Sequence, residues 1–391
     1  MKKLLCLLMG AIGLLGTPAF AQFMPQPPEI AARAYLLLDL TSDQQLAAKE
    51  ADAPVQPASL TKLMTAYLVF DALRVGKLDL KQTLTVSERA QKQPGSRMFL
   101  EAGMQVPVED LIKGLLVQSG NDAALTLAEG AAGSEERFVE QMNEQAEALG
   151  MKATHFVNAT GLTRPGHLST ARDLAILATR LLRDFPDYAY FHSIHRYRYA
   201  GTPPANDGNR NLLLFRDPSV DGLKTGHTDA AGYCLIATAQ REFPNLGPDG
   251  APGPRRLLAV VLGTDSENAR ATETQKLLNW GYTTFEDVKL FEANQAVLSP
   301  TIWKGTSTHA RLGRPQAVVV AVPAGSAGRL RTEAIRPEPL VAPLAKGQAA
   351  GTLKVYVGEH ALANIPLLAL DSVNEAGLIG QAWGAFRLWI Q

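Results

Sequence analysis

Eleven consecutive residues, Leu60 to Phe70 (LTKLMTAYLVF), are apolar, aromatic, alanine or threonine with one exception, Lys62. A segment apolar on every side is satisfied only by burial on every side, so any fold for this chain must enclose it. An ammonium group there is expensive unless something uses it. Lys62 follows Ser59 by three residues, and residues three apart on a helix share a face, one turn apart. A serine hydroxyl is a poor nucleophile until a base takes its proton, and a lysine held neutral by burial and a nearby cation can be that base. The bland alternative is a surface lysine beside a capping serine. Composition predicts about one Ser-x-x-Lys by chance in a chain this long. Here the pattern occurs once, in apolar context.

The chain of 391 residues, 46% hydrophobic and 19% charged, can bury a sizeable core and reads as an ordinary folded protein. Its formal net charge is zero, which gives no electrostatic reason to expect nucleic acid as a partner. The opening MKKLLCLLMGAIGLLGTPAFAQ has two lysines, an apolar run from Leu4 to Leu15 and a small-x-small site at Ala19-Phe20-Ala21. Together these predict a cleavable export signal over 1–21, with the mature chain starting at Gln22. A retained anchor is the competing reading, but the run is short of the roughly 20 residues a span needs and Pro18 interrupts it. Cleavage removes Cys6 and leaves Cys234 alone, so no internal disulfide is expected and the core must hold the fold.

Ala34 to Leu40 (AYLLLDL) reads as a strand that turns at Thr41-Ser42-Asp43 into a second one through Leu46. Helical patterns follow from Pro57, then over 107–118, 121–132 and 134–150, where Ser134 is the expected cap and Gly150 the stop, and over 171–185. Strand patterns return at 232–240 and 256–263, separated by FPNLGPDGAPGPRR, whose glycines and prolines predict a long exposed hairpin loop over 243–256. A last helix is expected over 271–286. The expected fold class is α/β: an antiparallel sheet of terminal strands flanked by helices over 22–288. A small all-β domain is expected over 289–370, where short β-type runs are punctuated by Gly and Pro. Over 371–391 a helix would set Leu378, Ile379, Ala382, Trp383, Phe386, Trp389 and Ile390 on one side. That stripe fits either a membrane surface or packing against the protein itself.

Two further patterns lie downstream of Ser59 and Lys62. Ser119-Gly120-Asn121 falls at the break between two expected helices, where a loop can project a hydroxyl and an amide into a cleft. Ser-x-Asn alone says little, since Ser266-Glu267-Asn268 and Ser372-Val373-Asn374 match it too. Lys224-Thr225-Gly226, just before the strand at Gly232, occurs nowhere else in the chain. In this order the three elements are the signature of the penicillin-binding and serine β-lactamase superfamily. Lys224 supplies the second cation. Thr225 and Gly226 would lie on an edge strand that can pair with a peptide.

With SLTKLMT, SGNDAA, DGLKTGHTDAAGY, FVNATGL, HLSTARDLA and KLLNWGYTTFE, the chain resembles the serine-type D-alanyl-D-alanine carboxypeptidases, penicillin-binding proteins of the type 5 and 6 group. The resemblance runs from about Ala31 to Leu370. It implies an exported enzyme that removes the terminal D-alanine of peptidoglycan pentapeptides and is inhibited covalently by β-lactams. It also implies a peripheral position on the periplasmic face of the cytoplasmic membrane, through the C-terminal helix, and no cofactor or metal. Carried residue by residue, it makes Ser59 the nucleophile, Lys62 the acylation base, and Ser119 and Asn121 proton relay and positioning groups. Lys224 would hold Lys62 neutral and orient the substrate. Thr225, Gly226 and His227 would bind substrate, with the N–H groups of Ser59 and His227 as the oxyanion hole. Arg210 and Arg270 are the candidates for the substrate carboxylate.

A β-lactamase of the best-known class would need a deacylating glutamate in a Glu-x-x-Leu-Asn setting. Nothing here matches that setting: the region after Asn121 offers Glu135, Glu136 and Glu140, on an expected surface helix. Gly-x-Ser-x-Gly and His-Glu-x-x-His are both absent, so neither an esterase elbow nor a zinc protease is supported. A D,D-endopeptidase shares every motif present, and a non-catalytic peptidoglycan-binding scaffold could have lost Ser59 or Lys62 without penalty.

Overall fold

Alternation along the central strands divides the first domain into two cores. In a computed structural model that describes residues 25–377, Leu36, Ile236, Leu258 and Val260 point to one side of a sheet, and Leu37, Leu235, Leu257 and Val261 to the other. Each side is buried, which is why these strands read as continuous apolar runs rather than as half-polar ones. The sheet holds β1 (Ala34–Asp39) and β2 (Gln44–Lys49) from the start of the chain, and β5 (Val220–Thr228), β6 (Gly232–Phe243) and β7 (Gly253–Thr264) from the end of the domain. The order is β2-β1-β7-β6-β5 and every pairing is antiparallel. β5 is therefore an edge strand.

Between β2 and β5 the chain is mainly helical. A single turn, Ala58–Thr61, leads into α1 (Lys62–Arg74), and β3 (Thr83–Thr85), α2 (Glu88–Gln91), β4 (Gln105–Pro107) and α3 (Val108–Lys113) follow. A π-type turn, Gly114–Gln118, precedes α4 (Asn121–Ala132), then come α5 (Glu135–Leu149), α6 (Ala171–Asp184) and α7 (Leu213–Arg216). α1 is enclosed as its composition demands: Leu63, Met64, Ala66, Val69 and Phe70 are all fully buried in the first core. The opposite face of the sheet is covered by α8 (Glu267–Thr284), with Leu277 and Leu278 buried in the second core. Ser134 caps α5 by accepting from Arg137 N at 3.3 Å, and Gly150 ends it with φ +82°.

Two expectations are corrected here. The β6–β7 ladder does not end at residue 240 but continues through Arg241↔Arg255 to Phe243↔Gly253, so the connecting loop shrinks to 244–252. Arg255, expected in an exposed loop, is instead fully buried, because Asp39 and Asp287 wait for it: Arg255 Nε lies 2.8 Å from Asp39 Oδ2 and 3.0 Å from Asp287 Oδ1. α8 starts at Glu267 rather than Ala271, since the Ser266 hydroxyl accepts from Ala269 N at 3.0 Å and caps it.

The second domain is all-β. β8 (Phe285–Phe291) continues directly from α8, so the expected boundary at 288/289 falls inside this strand. β9 (Ala296–Leu298), β10 (Ile302–Trp303), β11 (Leu312–Gly313), β12 (Val318–Pro323), β13 (Leu330–Ile335), β14 (Leu340–Val341), β15 (Ala349–Val357) and β16 (His360–Ala369) follow. A five-stranded sheet, β13-β15-β16-β11-β9, faces the pairs β12-β8 and β10-β14 across its own core of Leu312, Val320, Val322, Leu353, Val355 and Leu367. Gln44 joins the domains by pairing its side-chain amide with both the N–H and the C=O of Ala321, at 2.7 and 3.1 Å. The expected signal segment and residues 378–391 of the expected terminal helix lie outside the described residues, and 371–377, expected in that helix, is instead non-helical, with Val373 bridged to Leu344 and Glu375 to Gly305 of the β domain. Among the described residues no helix is long and apolar enough to cross a membrane.

Candidate active site

Ser59 sits in the turn that launches α1, and Lys62, the first residue of that helix, reaches back to it. Lys62 is fully buried, and its Nζ lies 3.0 Å from Ser59 Oγ, 2.7 Å from Asn121 Oδ1 and 2.6 Å from the Thr160 carbonyl. Burial disfavours the ammonium and pushes its pKa down to about 7, against a smaller opposing pull from Asp122.

Asn121 opens α4 and presents its side chain to Lys62 because both halves of its amide are used. Oδ1 accepts from Lys62 and Nδ2 donates to the Pro94 carbonyl at 2.6 Å. Its neighbour Asp122 is fully buried and accepts from Met98 N at 2.8 Å and Leu100 N at 3.0 Å, tying the loop 94–100 to the start of α4. Ser119 adopts the left-handed conformation, φ +61°, between the π-type turn and α4. That unusual backbone aims its hydroxyl at Lys224, whose Nζ donates to Ser119 Oγ at 3.0 Å and to the Thr225 carbonyl at 2.9 Å.

Lys224, Thr225 and Gly226 lie on β5, and Lys224 and Thr225 are both buried. Gly226 is required by close approach: a Cβ there would sit 3.2 Å from the Pro57 carbonyl oxygen and 3.2 Å from Leu60 Cγ. Its absence lets the edge strand lie against the Ser59 turn. Burial pushes the Lys224 ammonium well below its usual value, and Lys62, Arg270 and Arg210 add to the effect. Burial is the main cause for both amines, and because their repulsion is mutual, a charge on either one disfavours a charge on the other.

The fourth wall is the segment 157–161. Gly161, φ +86°, is the tightest contact of the site, since a Cβ on it would lie 1.8 Å from the Ala58 carbonyl oxygen. Asn158 holds this segment by accepting from Thr160 N, Thr160 Oγ1 and Gly161 N at 3.1, 3.0 and 2.7 Å. His167 accepts from Val157 N at Nδ1, so its Nε2 carries the proton and donates to Thr61 Oγ1 at 2.8 Å. Burial lowers its pKa to about 4 and keeps the ring neutral.

Two adjoining pockets meet at Ser59. One of about 240 Å³ is lined by residues including Ser119, Thr225, Tyr233, Arg210, Arg270 and Glu267, the last paired to Arg270, and the other, of about 350 Å³, by residues including Gly95, Arg97, Thr160, Leu162 and Asn206. His227 borders both and stacks its ring on Tyr233, centroids 3.9 Å apart. The two candidate arginines differ. Arg270 is buried in the first turn of α8, paired to Glu267 at 2.5 Å and donating to the Arg210 carbonyl at 3.0 Å. Arg210 lines both pockets and forms no ion pair among the described residues.

All ten candidate residues thus come together around Ser59. Motif reasoning on its own did not assign the Thr160 carbonyl, Asn158, Gly161, His167, Asp122 or Arg97. The first four sit in FVNATGL and HLSTARDLA, and the one local signal is the glycine at 161, a residue type suited to a positive φ. Among the described residues no cluster of side chains is suited to a metal ion.

Three comparisons bear on this geometry. Residues 21–264 match the D-alanyl-D-alanine carboxypeptidase family, and residues 285–375 the C-terminal domain of penicillin-binding protein 5. D-alanyl-D-alanine carboxypeptidase DacC of Escherichia coli (strain K12) is 38% identical over 366 residues, covering 92% of this chain and 88% of that one. The crystal structure of penicillin-binding protein 5 from Haemophilus influenzae superposes with a TM-score of 0.81 at 35% identity, over 90% of this chain and 100% of that one. Penicillin-binding protein D2 from Listeria monocytogenes, in its ampicillin-bound form, matches 66% of this chain and 100% of its own at 32% identity, with a TM-score of 0.55. With a Ser-x-x-Lys pair at the head of a buried helix, a penicillin-binding α/β domain around it and an all-β domain behind it, the chain belongs to the D-alanyl-D-alanine carboxypeptidase family of serine peptidases.

Proposed function

We propose that this chain hydrolyses the terminal D-Ala-D-Ala bond of peptidoglycan pentapeptides through a Ser59 acyl-enzyme, releases D-alanine, and is acylated by β-lactams. The observation that carries the reading is an amine sealed from water 3.0 Å from the Ser59 hydroxyl, with its pKa lowered to about 7. A neutral Lys62 has two N–H groups and one lone pair. Asn121 Oδ1 and the Thr160 carbonyl accept the two N–H groups, which leaves the lone pair for the Ser59 proton.

Ser59 Oγ then bonds to the carbonyl carbon of the penultimate D-alanine, and the charge on its oxygen is stabilised by the N–H groups of Ser59 and His227. The terminal carboxylate lies toward Lys224, Thr225 and Arg210 in the smaller pocket, with Arg270 behind Arg210. As the C–N bond breaks, the departing amine takes a proton from Lys62 or along the Ser119–Lys224 contact. Water then cleaves the ester and returns Ser59. The chemistry calls for no metal or cofactor.

The β-lactamase alternative is disfavoured because Glu135, one of the glutamates that follow Asn121 in the sequence, is already engaged. Its carboxylate accepts from Ala159 N at 3.1 Å and pairs with Arg89 at 2.6 Å, so it serves as a structural brace. Relatives that span both domains carry the carboxypeptidase name, which ranks endopeptidase activity second. We place the site outside the cytoplasm, with 1–21 as the export signal, a catalytic domain from 22 that ends with α8, a β-rich domain that begins with β8 at Phe285, and the segment after residue 377 as a peripheral membrane anchor.

The test is D-alanine release from a peptide ending in D-Ala-D-Ala, with and without benzylpenicillin. Wild type should release D-alanine and lose that activity as penicillin becomes covalently bound, while Ser59→Ala should do neither and keep its melting transition. Turnover by Ser59→Ala would refute the assignment, and rapid penicillin destruction with little D-alanine released would make this a β-lactamase.

A further inference from the structure

The larger of the two pockets holds a cation that the reaction as described leaves unused. Arg97 lines this pocket, on the side of Ser59 away from Arg270. Its position is fixed by the catalytic machinery on both flanks. Asn121 N donates to the carbonyl of Ser96 at 2.8 Å, and Met98 N donates to Asp122 Oδ1 at 2.8 Å. The guanidinium lies over the Phe99 ring, 5.2 Å from its centroid, which steers the side chain, and among the described residues no hydrogen bond takes up its five N–H donors. Among the described residues no carboxylate pairs with Arg97, and the lining of its pocket contains Arg97, Arg210 and His227 but no aspartate or glutamate.

The pocket is also polar, with Leu162 its single large apolar residue. It is thus ill suited to an apolar acyl group. The terminal carboxylate of the substrate is assigned to the smaller pocket, which Arg210 shares and Arg97 does not line, so a monoanionic peptide would leave Arg97 without a carboxylate partner. We propose that Arg97 is a specificity residue that binds a carboxylate on the side chain of the residue preceding D-Ala-D-Ala, so that the enzyme prefers acidic stem peptides over neutral ones. This rests on the carboxypeptidase reading and deepens it. Arginine suits the task because its planar fork meets a carboxylate with two parallel hydrogen bonds.

The experiment compares two peptides of matched length, Nα-acetyl-Nε-succinyl-L-lysyl-D-Ala-D-Ala, with the extra carboxylate, and its Nε-acetyl counterpart without it. Wild type at low ionic strength should favour the succinyl peptide by about three- to tenfold in kcat/KM, chiefly through KM, as expected for a partly exposed ion pair. The preference should shrink as salt is added. Arg97→Leu should bring the two peptides to near-equal kcat/KM, and Arg97→Glu should reverse their order. The benzylpenicillin acylation rate of each variant reports whether the Ser59 centre is intact. A ratio unchanged in Arg97→Leu, or abolished instead in Arg210→Leu with Arg97 present, would overturn the proposal. Failure of the carboxypeptidase reading looks different: neither peptide would be cleaved by wild type.

Discussion

A lysine held fully buried with a pKa near 7 opposes folding, because the unfolded chain holds that proton up to about 10.5. Between those two values the unfolded state binds more protons than the folded one, so this group makes stability rise with pH across that window. Below about 7 the cost is at its full value, of order 5 kcal/mol before the lysine's three hydrogen bonds offset part of it. Lys62→Met should therefore stabilise the fold by about 1–3 kcal/mol at pH 6 in urea denaturation, less at pH 10, while abolishing acylation. A Lys62→Met protein less stable than wild type at pH 6 would show that the bonds to Asn121 and Thr160 outweigh desolvation. The same pKa governs rate. Acylation by benzylpenicillin should climb about tenfold per pH unit below 7 and level off above it, as the fraction of neutral amine saturates.

At the scale of elements, what decides reactivity is how closely the segment 157–161 and the edge strand β5 press on the Ser59 turn. Gly161→Ala forces a Cβ to within 1.8 Å of the Ala58 carbonyl at a positive φ, so the turn or the segment must move. We expect a loss of about 2–4 kcal/mol in stability and at least about a tenfold drop in penicillin acylation at 25 °C. Acylation equal to wild type would mean that this contact does not position Ser59. Elements such as β1, α4, α5 and α6 were legible in the sequence because their apolar periodicity and caps are local. So was the chemistry of Ser59, Lys62, Ser119, Asn121 and Lys224, since order and spacing along the chain carry it. The Thr160 carbonyl was not, because a backbone acceptor has no residue type to reveal it. Nor was the β6–β7 extension: Pro254 and the neighbouring glycines signal a loop locally, and the partners that draw Arg255 inward, Asp39 and Asp287, lie 216 and 32 positions away in the chain.

For the whole molecule, the Arg255 cluster is the charged joint between the domains, with Asp39 from β1, Asp287 from β8 and the Phe285 carbonyl all within reach of one guanidinium. Burial, and after it the Asp39 carboxylate, push the Asp287 carboxyl up to about 8, against the pull of Arg255. The folded state thus retains a proton that the unfolded chain loses near 4, and this group lowers stability as pH rises from about 4 to about 8. Asp287→Asn should be more stable than wild type, by a margin that grows across that range and then stays constant. Arg255→Met, which strands two buried acids, should cost about 3–5 kcal/mol in denaturant titrations. A variant within about 1 kcal/mol of wild type would rule out this joint as a support of the two-domain arrangement. The candidate site, for its part, draws on residues 59–62, 119–122, 158–161 and 224–227, segments that meet only once helices and terminal strands have closed on one another. Under the acyl-enzyme chemistry, a fluorescent penicillin would bind no partly folded chain, and each labelled molecule would be one that had completed its tertiary structure. The antibiotic would then serve as a head-count of correctly matured copies, readable on a gel from whole cells.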